Sequence, residues 1–156
     1  MAIEERMMLT PQGKVDLERE RVLLKETKRP QLIQRIQELS DDGDVSDNSE
    51  FEDVKEELIQ LDSRIREIEI FLEEAEVVEH VGANGVVVFG STVTLIDDEQ
   101  EVETWTIVGP QEASPLHGKI SNISPVGSAL LGKRAGDTIS VSAPGGRTTF
   151  KIQDVR

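Results

Sequence analysis

The chain has no cysteine and no tyrosine, and only one tryptophan and four phenylalanines in 156 residues. Without cysteine, disulfides and thiolate metal sites are excluded. Two histidines, His80 and His117, are too few for an all-protein zinc cage. The scarcity of aromatics argues against one large globular core and favours an elongated helical element beside a small domain. No apolar run reaches membrane length, and the opening Met1-Ala2-Ile3-Glu4-Glu5-Arg6 turns polar at once. A cytoplasmic, soluble protein with no membrane partner is therefore expected. An excess of positive charge is also missing. The formal net charge of −14 excludes simple binding along duplex nucleic acid, which needs a basic face.

What is present is unevenly spread. Residues 1–76 carry 11 Lys/Arg against 22 Asp/Glu, and residues 77–156 carry 6 against 9. Within the first half, Lys14 to Arg35 holds seven bases and four acids, whereas Glu38 to Glu57 holds ten acids and Lys55 alone. Most of these charges serve as a solvated helical surface, but their segregation along the chain asks for a further reason.

The clearest period runs through Phe51, Val54, Leu58, Leu61, Ile65, Ile68, Leu72 and Ala75, in alternating steps of three and four. That is a heptad seam, and it needs a partner helix. Residues from about Pro11 to Leu39 supply one, with Leu17, Leu24, Leu32, Ile36 and Leu39 in a looser helical pattern. Thr10-Pro11 reads as a cap and first turn. Pro30 predicts a kink. Ser40 to Asn48 is rich in turn formers, and Ser49 with Glu52 reads as a capping box for the second arm. The prediction is an antiparallel helical hairpin over residues 1–76 with an acidic tip at 40–48. Its second arm, Ser49 to Glu74, would be about 39 Å long at the α-helical rise.

Residues 77–156 change period. Val86 to Phe89, Thr92 to Ile96 and Glu103 to Val108 read as strands, with Gly90 as a bulge. Thr138 to Ser142 and Thr148 to Ile152 flank Pro144-Gly145-Gly146 as a hairpin. Ser124-Pro125 opens a short helix that Gly132 closes. The fold class is α+β: a coiled-coil hairpin followed by a small antiparallel β domain with a short helix, joined by a hinge near Glu76–Gly85. Pro144-Gly145-Gly146 lacks the strand–loop–helix context of a phosphate cradle, so no bound organic cofactor is expected.

The stretch Gly43-Asp44-Val45-Ser46-Asp47-Asn48-Ser49-Glu50-Phe51 resembles the tip of the GreA/GreB transcript-cleavage factors. Lys25 through Pro30 resembles their basic stretch ending in Arg-Pro. Ser124-Pro125-Val126-Gly127, Ala129 to Lys133, Gly136-Asp137 and Ala143 to Gly146 are similar to the family's later motifs, in the family's order. The resemblance spans almost the whole chain and implies an FKBP-like C-terminal domain. It implies a coiled coil that enters the secondary channel of a backtracked RNA polymerase and an accessory factor, not an enzyme, that stimulates the polymerase's own cleavage of nascent RNA. Asp44 and Asp47 fall on the acidic positions that help hold the polymerase's catalytic magnesium, which the free protein would not bind stably. Lys28 and Arg29 fall in the patch facing the transcript's 3′ end. Ser124, Pro125 and Gly127 fall in a signature assigned to polymerase docking or to folding. The free protein is expected to be a monomer.

Two features keep alternatives open. From the loop alone, Asp44 and Asp47 serve equally well as turn and cap residues. Asp47 also stands where the family usually has Glu, and Asp41 and Asp42 bring the tip to four aspartates. A tip so rich in Asp is similar to family homologues that inhibit transcription by plugging the channel. A prolyl isomerase, suggested only by the implied FKBP-like fold, ranks last, because fold does not carry function.

Overall fold

The computed structural model describes residues 7–41, 43, 48–80 and 84–156. The chain divides into two compact units, Val15–Glu74 and the combination of Met1–Lys14 with Ala75–Arg156. The first residues group with the second half because β1 (Met8–Leu9) pairs in parallel with β2 (Glu76–Val77).

The helical unit is the expected hairpin. Its first arm is α1 (Pro11–Leu23), a π-helical turn (Leu24–Lys28) and α2 (Arg29–Asp41); its second is α3 (Ser49–Glu74). Thr10 caps α1, the Gly13 N–H donating to Thr10 Oγ1 at 3.0 Å. Pro30 has no N–H to give and crowds the carbonyl four residues back. The helix answers with a wider turn just before it, in which the Arg29 N–H donates to the Leu24 carbonyl, five residues away. The kink expected at Pro30 is thus a π-turn that lets the arm continue.

Leu61, Ile65 and Ile68 are buried along the predicted seam, and Leu17, Leu24 and Leu39 are buried on the first arm. The arms are antiparallel. As the first-arm partner advances from Lys25 to Arg29 to Arg35, the second-arm partner retreats from Glu69 to Asp62 to Glu50. The capping box is corrected. Asn48, not Ser49, is the cap, its Oδ1 accepting from the Phe51 N–H at 3.2 Å. Asn48→Ala should therefore cost about 1 kcal/mol of stability, and Asn48→Asp almost nothing, in urea melts followed by helical circular dichroism.

The other unit holds a five-stranded sheet in the order β5-β4-β3-β7-β6, from β3 (Thr92–Ile96), β4 (Val102–Val108), β5 (Lys119–Ser121), β6 (Thr138–Ala143) and β7 (Gly146–Val155). Its neighbours are antiparallel except β4 and β5, which run parallel. A loop with a 3₁₀ turn at Pro115–His117 returns the chain so that β5 can run that way. The core is Val87, Val93, Leu95, Ile107, Leu130, Ile139, Val141 and Ile152. Val93 and Leu95 alternate inward along β3 as a half-buried strand requires. Leu130 comes from α4 (Pro125–Leu130), which Gly132 closes at φ +82.

The predicted strand at Val86 to Phe89 is not one. Val87 instead exchanges backbone hydrogen bonds with Lys133 and Gly132, at 2.8 and 2.9 Å. Gly90, at φ +89, turns the chain into β3.

Candidate functional site: the hairpin tip and its supports

Asp44 and Asp47 lie outside the described residues. The residues that frame them do not. On one side α2 ends with buried Leu39 and exposed Ser40 and Asp41. Gly43 follows at φ +121, a conformation open to glycine but strained for residues with a Cβ. On the other side Asn48 starts α3, whose first turn carries exposed Glu50 and Glu52. Phe51 is half-buried at the end of the seam, with the Lys55 ammonium 5.2 Å from its ring centroid.

Just below this end the arms are tied by charge. Arg35 reaches across to Glu50, with Nε 3.1 Å from Oε1, and also holds Glu38 of its own arm at 3.3 Å. Both hydrogen bonds raise its pKa, Glu50 first. Farther down, Arg29 pairs with Asp62 at 2.8 Å, a hydrogen bond that likewise raises its pKa. Lys25 at 2.7 Å holds the Glu69 carboxyl below its usual range, chiefly through the hydrogen bond itself. Arg64 grips Glu20 through two nitrogens at 2.9 and 3.1 Å. These exposed pairs fix register more than they add stability. Their arrangement uses up much of the basic excess of the first arm.

The two predicted transcript-facing residues therefore differ. The Arg29 guanidinium is engaged with Asp62 across the hairpin. Lys28, next to it in the π-turn, is exposed and makes no ion pair with another described residue.

Ser124, Pro125 and Gly127 come together at the start of α4. The Ser124 hydroxyl donates to the Ser121 carbonyl at 2.7 Å and accepts from the Gly127 N–H at 3.1 Å. Pro125 occupies the first helical position, where its missing N–H costs nothing. A Cβ on Gly127 would lie 2.0 Å from the Ser121 carbonyl oxygen. Each residue of the signature has a local structural task.

Sequence reasoning missed Glu112. Its carboxylate accepts from the Thr10 N–H at 2.9 Å, the Gly109 N–H at 3.1 Å and the Thr10 hydroxyl. Only the Thr10-Pro11 cap hinted at this place, and nothing local marks the acid 102 residues later. No group of three His, Cys, Asp or Glu among the described residues could hold a metal ion. Nor is any described helix long and apolar enough to cross a membrane.

Two family models match. "Transcription elongation factor, N-terminal" covers residues 7–77, and "Transcription elongation factor, GreA/GreB, C-term" covers residues 82–156. The chain is 42% identical over 158 residues to the transcription elongation factor GreA of Geobacillus kaustophilus, with all of both chains covered. It is 43% identical over 155 residues to that of Chloroflexus aurantiacus, covering 98% of this chain and 99% of the relative. Among solved structures, GreA factor homolog 1 of Thermus thermophilus is 33% identical, with 96% and 97% of the two chains covered and a TM-score of 0.43.

Proposed function

The chain belongs to the GreA/GreB family of transcription elongation factors, and on that premise we propose that it stimulates RNA cleavage by a backtracked RNA polymerase. In this reading the helical hairpin enters the secondary channel and presents Asp44 and Asp47 at the active centre. The observation that carries it is the order of the sequence, in which two aspartates fall between Gly43 and the Asn48 cap, beside arms tied to each other by Arg35 and Glu50.

The donor set fits magnesium as a shared ion. Carboxylate oxygens suit it, and it commonly takes one or two protein carboxylates with other ligands from substrate and water. The described residues offer no cage of their own. Bound between polymerase and tip, the ion would stabilise the attacking and leaving oxygens of an in-line displacement. Asp44 and Asp47 would hold that position and orient the attacking water. The protein would then be an accessory factor whose tip has no cleavage activity without polymerase. Lys28, exposed and without an ion partner among the described residues, is the better placed of the two bases to meet the transcript's phosphates. Arg29 would act mainly through its bond to Asp62. Ser124, Pro125 and Gly127 would shape the surface offered to polymerase by holding the start of α4.

A second reading rests on the four tip aspartates. Under it the protein plugs the channel and inhibits. The deciding experiment adds the protein and magnesium to a stalled, backtracked elongation complex. Shortening of the RNA from its 3′ end, many times faster than with polymerase alone, is the expected result. Binding with slowed synthesis and no cut would favour the plug, and no binding would sink both.

A further inference from the structure

The first arm carries apolar residues on two opposite sides. Leu17 and Leu24, seven residues apart, are buried. Val15 and Val22, also seven apart, are 39% and 47% exposed, and Leu23 beside them is 48% exposed. At 3.6 residues per turn, the line through the two valines lies about 160° around the helix from the line through the two leucines. Val15, Glu18, Arg19, Val22, Leu23 and Thr27 line a shallow groove there, and all six are exposed. All belong to the helical unit. Three neighbouring apolar residues, two of them at heptad spacing, form a patch that calls for a cover.

Glu18 and Arg19 say what that cover is. They flank the valine line at about 50° on either side. Adjacent residues on a helix do not face each other, and neither side chain forms an ion pair with another described residue. When two copies of this strip meet face to face with their helices parallel, left meets right. Glu18 of each copy then lies opposite Arg19 of the other, once on each side of the valines. With the helices antiparallel, Glu18 would meet Glu18 and Arg19 would meet Arg19. Flanking charges choose partner and direction in this way in coiled coils. The net charge of −14 makes two copies repel, but a strip with one acid and one base adds nothing to that repulsion.

We propose that the protein forms a parallel homodimer through the Val15–Val22 strip of α1, in place of the monomer expected from the sequence. The contact is smaller than a standard interface, so association is weak, with a dissociation constant of roughly 100 µM.

Sedimentation equilibrium of the full chain tests this, from about 10 µM to about 1 mM protein in about 0.15 M salt, which screens long-range repulsion. The expected result is a monomer–dimer equilibrium. Glu18→Arg and Arg19→Glu should each weaken it about tenfold, because each brings like charges together twice. The double variant, with the two charges exchanged, should return to within about threefold of the parent. Both positions are exposed, and circular dichroism checks that the helices are kept. Direction is read by Val22→Cys in a chain that otherwise has no cysteine. A parallel pair sets the two thiols side by side, so mild oxidation should link the copies. Ile59→Cys, on α3 and 58% exposed, is the control that should link far more slowly. A parent that stays monomeric up to about 1 mM overturns the proposal. So do single variants that associate like the parent, a double variant no better than the single ones, or Val22→Cys linking no faster than the control. None of these readouts involves polymerase, so they stand apart from the reading of the tip.

Discussion

Asp44→Asn should lower RNA cleavage in a backtracked complex by about a hundredfold or more, with the protein still competing normally for polymerase. The substitution keeps the side chain's size and its capacity to cap a turn, and removes only the charge. An amide oxygen is a weak substitute for carboxylate on magnesium, and the NH₂ group brings protons toward a cation. Losing one preorganised group that stabilises developing charge typically costs two to three orders of magnitude. Asp41→Asn is the control. Asp41 is exposed on the last turn of α2, before the Gly43 turn, and the same loss of charge there should change cleavage little. If Asp44 were only a turn residue, asparagine would serve as well and both variants would cleave alike. If the protein were a plug, Asp44→Asn would relieve inhibition and there would be no cleavage to lose.

That experiment bears on a site proposed from order and spacing in the sequence alone, since Asp44 and Asp47 fall outside the described residues. The hairpin around it was legible for a physical reason. Burial against one partner helix repeats every three or four residues, and Leu61, Ile65 and Ile68 obey that period. The period then drifts. Phe71 is buried and Leu72 only half-buried, where a strict heptad has the reverse, and the difference between 3.6 and 3.5 residues per turn would shift burial the other way. Local chemistry was read correctly at Thr10 and Ser124, whose hydroxyls cap the helices predicted for them. It was read one residue late at Ser49, because Asn48 competes for the same task.

What stayed hidden depends on contacts far apart in sequence. The pairing of Met8–Leu9 with Glu76–Val77 involves two-residue strands too short to show a period. Val86 to Phe89 has strand composition, yet its hydrogen bonds go to the end of α4 and to a turn. Glu112 looks like any solvated acid until Thr10 is beside it.

Gly127→Ala is expected to lower the stability of the sheet unit by roughly 1–3 kcal/mol, the range for forcing atoms into a packed site. The added Cβ would lie 2.0 Å from the Ser121 oxygen and 3.0 Å from both the Ser121 carbonyl carbon and Ser124 Oγ. That carbonyl cannot easily move aside. It accepts from Ser124 N at 3.1 Å and Ser124 Oγ at 2.7 Å, and Ser121 is paired with Val108 in the sheet. For a unit of this size the loss corresponds to a fall in melting midpoint of roughly 4–24 °C. Trp105 is the only tryptophan and packs on the core of this unit, so its signal, at longer wavelength than that of the hairpin's Phe51 and Phe71, follows the unit. Ser124→Ala, which removes the cap but adds no atoms, should cost about 1 kcal/mol by the same measure. A signature kept for folding predicts that order of effects, with polymerase binding falling only where the unit has melted. A signature kept for docking predicts the reverse: a midpoint within a few degrees of the parent and weakened binding at temperatures where the variant is fully folded.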